Sequence, residues 1–449
     1  MTNWRPVLAG MSGPKYRAIA DAIEAAIAQG ALSPGDRLPP QRTLAWDLGV
    51  TVGTVGRAYA LAERRQFVAG TVGRGTFVCG GTAAATANPL LPAPDGNITD
   101  LSINATLLDS TASAFAETLT GLTRSANLAR LLEYTEPAGH PEHRDAAARW
   151  IARTGLAAYP HDIILTAGAQ QALAATIDVV TQSTRHMFLE RLTYPVLKRI
   201  AAIRGVRITG IALDEEGMVP AALDAAARAA PDVRAVALVP TLQNPTAATM
   251  SVARRQAIAE VARARNLVII EDDVYGYVAP NRPPPIATFA PERTVYLTSA
   301  SKCTAPGLRV GWMSAPPDWR DRLTEAVYAD SLTQPALTHE IVRRWIDDGT
   351  AGRLVAELRD ELATRHRMAA QALPNIRYAD DPTSPHILLP LPERWRSDDF
   401  VAAVLTHGYR LAPIEAFAVG PGPVAPAVRI SLGAVRERAA LAGCLSAIR

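Results

Sequence analysis

Lysine is nearly missing from this chain: of its 46 Lys and Arg residues only Lys15, Lys198 and Lys302 are lysine. Arginine cannot replace lysine where an amine must condense with a carbonyl, because guanidinium stays protonated. A lysine kept in so arginine-rich a chain therefore invites a chemical reading. Cysteine is scarce as well. Cys79, Cys303 and Cys444 are scattered, with no Cys-x-x-Cys pair and no Cys/His cluster. That argues against a disulfide framework or a zinc site, and leaves ordinary reduced thiols and no metal as the expectation. No uninterrupted apolar run reaches about 18 residues, and Met1 to Gly10 lacks the charged-then-apolar order of a secretory signal. A cytoplasmic location is expected.

What is present is enough chain, 449 residues, for two or three compact units. The net charge of +3 is unevenly placed. Residues 1 to 80 hold nine Lys/Arg against five Asp/Glu, while the remainder carries 37 against 38. A modestly basic head on a near-neutral body points to an electrostatic partner for the head, although many solvated surfaces reach a similar charge.

Within the head, Ile19, Ile23, Ala26 and Ile27 recur at helical spacing over Tyr16 to Gln29, and Gly30 ends the pattern. Pro39 and Pro40 open a short helix, Gln41 to Leu48. Thr51 can cap a third helix through Val55, Tyr59 and Ala62. Two short strands then flank Gly73-Arg74-Gly75 between Phe67 and Val78. Three helices and a hairpin make a winged helix-turn-helix over residues 1–79. Residues 80–97 are small, Pro-rich and almost uncharged, and read as a linker.

From residue 98 to 449, helical stretches alternate with short apolar runs: Asp162 to Thr166, Met187 to Glu190, Ala235 to Pro240, Leu267 to Asp272 and Thr294 to Thr298. The alternation predicts an α/β unit with a mostly parallel sheet, large part about 135–330. A smaller α+β part, about 98–134 and 331–449, follows from the change of pattern after Gln334, with one long amphipathic helix from Leu354 to Leu373.

Chemistry gathers where strands end. Lys302 lies in Ser299-Ala-Ser301-Lys302-Cys-Thr-Ala-Pro-Gly-Leu-Arg309. Asp272 closes the strand Leu267-Val-Ile-Ile-Glu, at the carboxyl edge where open α/β sheets bind ligands. Thr166-Ala-Gly168-Ala169-Gln170 joins a strand to a helix, so the amides of Ala169 and Gln170 stand at a helix N-terminus and can cradle a phosphate. Arg309 could grip the same phosphate with two bonds, beside the hydroxyls of Ser299 and Ser301. Singly these strings are weak: Ser-x-Ser-Lys and a turn glycine are common, and Asn244-Pro245 is an ordinary turn. Asp273 reads as a solvated carboxylate or one standing behind the site.

Together, in this order, they resemble a fold-type I pyridoxal-phosphate aminotransferase over essentially all of residues 98–449. The resemblance implies pyridoxal 5'-phosphate held as an internal aldimine on Lys302, the catalytic-type residue. Asp272 would pair with the pyridine nitrogen, Tyr275 and Asn244 would donate to the phenolic oxygen, and Tyr194 would stack on the ring. Tyr134 matches the tyrosine that reaches the partner subunit's phosphate, implying a homodimer. Arg429, in Val-Arg-Ile-Ser-Leu-Gly, matches the clamp for a substrate α-carboxylate, with a surface or salt-bridged role as its alternative.

The head, in Leu38-Pro-Pro-Gln-Arg42-Thr-Leu-Ala and Thr54-Val-Gly-Arg57-Ala-Tyr, resembles the GntR-family winged helix. By that resemblance Arg42 contacts phosphate or a base edge, Thr51 and Thr54 face the major groove, and the wing at Arg74 and Gly75 enters the minor groove. Arg57 either replaces a lost base contact or neutralises phosphates, since Val52 and Gly56 stand where polar readers are common. Gln66 likewise replaces the usual glycine.

The pairing of both halves is similar to the MocR subfamily of bacterial regulators. It implies a head-to-tail homodimer on double-stranded operator DNA. The second domain would sense the cofactor, an amino acid or an amine by aldimine exchange at Lys302, generally without efficient turnover. The alternatives are a working aminotransferase with a 2-oxoglutarate-type acceptor and an adaptor with a vestigial cofactor site.

Overall fold

The computed structural model of the chain describes residues 4–6, 14–28, 31–32, 36–64, 67–71, 75–78, 98–105, 108–124, 128–374, 376–378, 381–420, 422 and 424–449. Two compact units emerge, Met1–Leu91 and Pro92–Arg449. The segment expected as a linker lies outside the described residues, as do Cys79 and Arg74.

In the first unit, helices α1 (Lys15–Ala28), α2 (Gln41–Asp47) and α3 (Val52–Arg64) precede an antiparallel hairpin of β1 (Val68–Thr71) and β2 (Gly75–Val78). One apolar stripe per helix closes the core. Ile19 and Ile23 of α1, Leu44 of α2, and Val55, Ala58 and Tyr59 of α3 are buried together with Val68 and Val78. The Tyr59 hydroxyl donates to the Pro39 carbonyl at 2.7 Å, tying α3 to the entry of α2. Leu48 and Phe67 pack partly buried at its edge. At Gly75, φ is +114°, and a Cβ would stand 2.6 Å from the Arg37 guanidinium, so glycine is needed there on two counts.

The second unit is built on a seven-stranded sheet. Its strands are β3 (Ile163–Thr166), β4 (His186–Glu190), β5 (Arg207–Ile211), β6 (Ala235–Leu238), β7 (Val268–Asp272), β8 (Thr294–Ser299) and β9 (Gly311–Ser314), in the spatial order β3-β9-β8-β7-β6-β4-β5. Every pairing is parallel except those of β9 with β8 and with β3. Its central strands are buried on both faces, as a sheet covered by helices requires. Alternation sorts the side chains: Val295 and Leu297 enter one cluster with helix residues Leu173 and Ile177, while Tyr296 enters the opposite one with Trp150 and Trp312.

Helices α4 (Pro141–Ala152), α5 (Ala169–Val180), α6 (Pro195–Ile203), α7 (Pro317–Ser331), α8 (Ala336–Asp347) and α9 (Thr350–Ala372) cover the sheet and extend beyond it. The long helix thus begins four residues earlier than the apolar pattern indicates, because its first turn, after Gly349, has few apolar residues. It is also preceded by two helices, α7 and α8, that the reading did not separate. A smaller antiparallel sheet, β10 (His386–Pro390), β12 (Ala427–Ser431) and β11 (Ala412–Pro413) in that order, packs on its own cluster with Leu373, Leu389 and Leu441. Among the described residues no helix is long and apolar enough to cross a membrane.

Candidate functional site

The carboxyl ends of β3, β7 and β8 present the expected residues to one place. Asp272 is the last residue of β7 and 6% exposed. Its Oδ1 has no hydrogen-bond partner among the described residues. Burial, then the neighbouring Asp273 carboxylate, pushes its pKa up to about 7. A buried acceptor of this kind calls for a cationic or N–H partner.

Lys302 ends a short 3-10 turn after β8, and its Nζ donates to the carbonyl of Asn104. Burial and the charges of Arg429 and Arg309 bring its pKa down to about 8, against the pull of Asp272. A lysine in that state carries an appreciable fraction of neutral, nucleophilic amine near neutral pH.

Gly168 caps α5 at φ +84°, leaving the first amides of the helix, those of Ala169 and Gln170, without intrahelical acceptors. Arg309 curls over this turn: Nη2 donates to the Ala167 carbonyl at 3.3 Å and Nη1 approaches Ser301 Oγ at 3.5 Å. A Cβ at Gly168 would lie 2.5 Å from Arg309 Nη2. On Gly311 it would lie 2.5 Å from the backbone of Gly168. The cup is thus shaped by missing side chains. Two free amides, a guanidinium and the hydroxyls of Ser301 and Ser299 suit a phosphate dianion.

Above it, the Tyr275 hydroxyl accepts from Asn104 Nδ2 at 3.0 Å, and Asn244 Oδ1 accepts from Arg429 Nη1 at 3.3 Å. Arg429, on β12 and 2% exposed, also donates to the Ser102 carbonyl, while its Nε has no partner among the described residues. Burial lowers its pKa to about 10. It is therefore not the surface arginine its alternative allowed, and it keeps a donor in reserve. Tyr194 caps α6 half-buried, its pKa pushed up to about 12 by burial and by the neighbouring Tyr275 and Asp272. Tyr134 stands 81% exposed. The solvated option for Asp273 is corrected: it is fully buried, ion-paired to Arg282 and bonded by the Tyr296 hydroxyl at 2.7 Å.

Sequence reasoning missed three residues. Asn104 joins Tyr275 to His386, whose Nδ1 lies 2.8 Å from Asn104 Nδ2. His386 Nε2 faces the Gln243 carbonyl at 3.1 Å, and burial lowers its pKa to about 3, so it stays neutral. Gln243 braces the loop before Asn244, accepting from the Thr246 amide at 3.0 Å and donating to Glu190 Oε2 at 3.0 Å. Its place beside the Asn-Pro pair was the one available signal. Asn104 and His386 had none.

In the head, Thr51 Oγ1 accepts from the Thr54 amide at 3.2 Å and caps α3. Arg42, Thr51 and Arg57 are exposed and Thr54 half-exposed on the ends of α2 and α3. The Arg57 guanidinium lies 5.1 Å from the centre of the Tyr16 ring.

Residues 96–448 match the family described as Aminotransferase class I and II, and residues 15–78 match Bacterial regulatory proteins, gntR family. YdeF, an HTH-type transcriptional regulator of Bacillus subtilis, is 28% identical over 432 residues, covering 96% of this chain and 92% of its own. The HTH-type pyridoxine biosynthesis transcriptional regulator PdxR of Corynebacterium glutamicum is 29% identical over 361 residues, 76% of this chain and 75% of its own. The solved multiple substrate aminotransferase from Thermococcus profundus matches with a TM-score of 0.72 at 22% identity, covering 82% and 95%, a likeness of fold.

Proposed function

Because the chain belongs to the aminotransferase class I and II family through residues 96–448 and carries a gntR-family module at residues 15–78, we propose that it is a DNA-binding transcription regulator of the MocR type. Its aminotransferase-like part senses pyridoxal 5'-phosphate, an amino acid or an amine at Lys302. One observation carries this reading: a head suited to DNA and a lysine site share one chain, and a regulator similar to both spans 96% of it.

The lysine site fits pyridoxal 5'-phosphate. Asp272, with its unpartnered Oδ1, would hold the pyridine nitrogen, Tyr275 and Asn244 the phenolic oxygen, and Tyr194 a ring face. Ala169, Gln170, Ser299, Ser301 and Arg309 would hold the phosphate. When bound, the cofactor supplies an aldehyde carbon open to amines and an electron-poor ring.

The chain's own residues do the rest. Lys302, with its pKa near 8, gives up and regains a proton at Nζ close to neutral pH. Arg429 offers Nε and a buried charge to an incoming carboxylate, which favours amino acids over simple amines. Asn104 holds the Tyr275 hydroxyl in place. Neutral His386 adds no competing charge beside Arg429.

With the cofactor bound, Lys302 would be the residue that yields its place to an incoming amine, which would leave its side chain free. Such a change reaches the operator provided that the ligand has different affinities for two arrangements of the protein. A head-to-tail homodimer on paired half-sites, working in the cytoplasm, with Tyr134 reaching the partner's phosphate, is the assembly proposed. Arg42, Thr51, Thr54, Arg57 and the wing at Arg74 and Gly75 would face the DNA. Lys302→Ala is expected to bind operator as the parent does and to lose the response to added amine. A variant that still responds contradicts amine exchange as the switch.

A second reading, turnover with a 2-oxo acid acceptor, is favoured by the intact grouping of Lys302, Asp272, Tyr275 and Arg429. Ordinary transfer rates in protein that binds no operator would support it.

A further inference from the structure

Away from the lysine site, the end of α4, the loop after β7 and the long helix α9 border a half-open pocket of about 330 Å³. Small-molecule sites run from roughly 300 to 1,000 Å³. Three guanidinium groups border the cavity, those of Arg153, Arg282 and Arg359, with Trp150, Tyr277 and Val355 as its apolar walls.

The three cations differ in what balances them. Arg282 is paired to Asp273 and donates to the Thr154 carbonyl at 3.1 Å. Arg359 donates to the carbonyls of Val278 at 2.9 Å and Tyr277 at 2.6 Å. Arg153 lies over the Trp150 ring, 4.6 Å from its centre. Among the described residues neither Arg153 nor Arg359 has a carboxylate within ion-pair distance. Their charges oppose each other: burial and then Arg153 hold the Arg359 pKa below its usual value.

A glycine makes room for this arrangement. Gly352 lies inside α9, where glycine is disfavoured relative to alanine. A Cβ there would stand 3.2 Å from Arg153 Nη1. Gly352 and Arg359 are seven residues apart, two turns, and so share one helix face. The missing side chain lets Arg153 lie along the face from which Arg359 projects.

We infer that this cavity is a second ligand site, which takes a small organic anion. Its carboxylate or phosphate sits with Arg153 and Arg359, and its apolar part rests on Trp150 and Val355. The occupant also touches the segment from Asp273 to Arg282, which presents Tyr275 to the lysine site, so the two sites share a wall.

The test uses the full chain loaded with pyridoxal phosphate, so that the phosphate cup at Gly168 is taken, and titrates it calorimetrically with inorganic phosphate and separately with succinate. At least one anion should bind saturably, phosphate marking a phosphate-type occupant and succinate a carboxylate-type one. Arg153→Gln, which gives up the stacking on the Trp150 ring, should weaken binding about tenfold. Arg429→Gln, at the lysine site, should leave phosphate binding unchanged and remove no more of the succinate binding than the share held at that site. The inference is overturned if neither anion binds saturably, if Arg153→Gln binds as the parent does, or if Arg429→Gln abolishes binding.

Discussion

Glu190 and Asp272 end strands β4 and β7, and both buried carboxyls hold their protons longer than free ones. Burial, only partly offset by bonds from Gln243 and the Val239 amide, pushes Glu190 up to about 8 from 4.5. The folded chain then binds more protons at this residue than the unfolded chain between those values. Its stability therefore falls as pH rises through that window, by on the order of 1 kcal/mol per pH unit at most. Glu190→Gln should flatten the fall in melting temperature between about pH 5 and pH 8, and parallel curves for variant and parent would refute this. At Gly168, alanine would meet Arg309 at 2.5 Å in a backbone conformation of φ +84°. Gly168→Ala should weaken pyridoxal-phosphate binding at least about tenfold in an absorbance titration, since an amide-lined cup loses its shape. Lys302, Asp272, Tyr275 and Arg309 were legible because each sits in a run whose neighbours carry the same chemistry. Asn104 and His386 were not, being 282 residues apart and joined by folding alone. Burial also decided what spacing could not: it made Asp273 an ion-pair member and gave Arg429 its unpartnered Nε.

Among the elements, apolar alternation located the strands β3, β4, β6, β7 and β8 to within a residue or two, since strands buried on both faces read as short unbroken runs. Helices α7 and α8 were harder. Their exposed faces interrupt the apolar pattern, and proline at or just before the first helical position is the main mark of their starts. In the head, Thr51 was recognisable as a cap from type and position, and its bond to the Thr54 amide shows why. Thr51→Ala should cost about 1 kcal/mol, read as a lower melting temperature of the first unit. Arg42→Ala, on an exposed turn of α2, should leave melting unchanged. It should instead weaken DNA binding evenly across sequences and lower the salt slope by about 1. A fall in melting with unaltered salt dependence would make Arg42 a structural residue.

For the molecule as a whole, charge and fold divide the work. The first unit holds the basic excess and a helical end lined by hydroxyls and guanidinium groups. The second is near neutral overall and buries Asp272 and Arg429 at its lysine site. On the proposed reading, joining them in one chain would let occupancy of the lysine site act on the DNA-binding part. Neither unit alone suggests that reading; the pairing of the two along the sequence does, and it was legible before the fold was. The most direct test is a mobility-shift titration, at fixed salt, on the DNA upstream of this protein's own gene. Protein with and without pyridoxal phosphate would be compared, and then a panel of amino acids and amines added. The account predicts a sequence-specific shift whose midpoint moves with the cofactor or with one of the amines. It is contradicted by protein that takes up pyridoxal phosphate, as judged by its visible absorption, yet binds no specific DNA under any of these conditions.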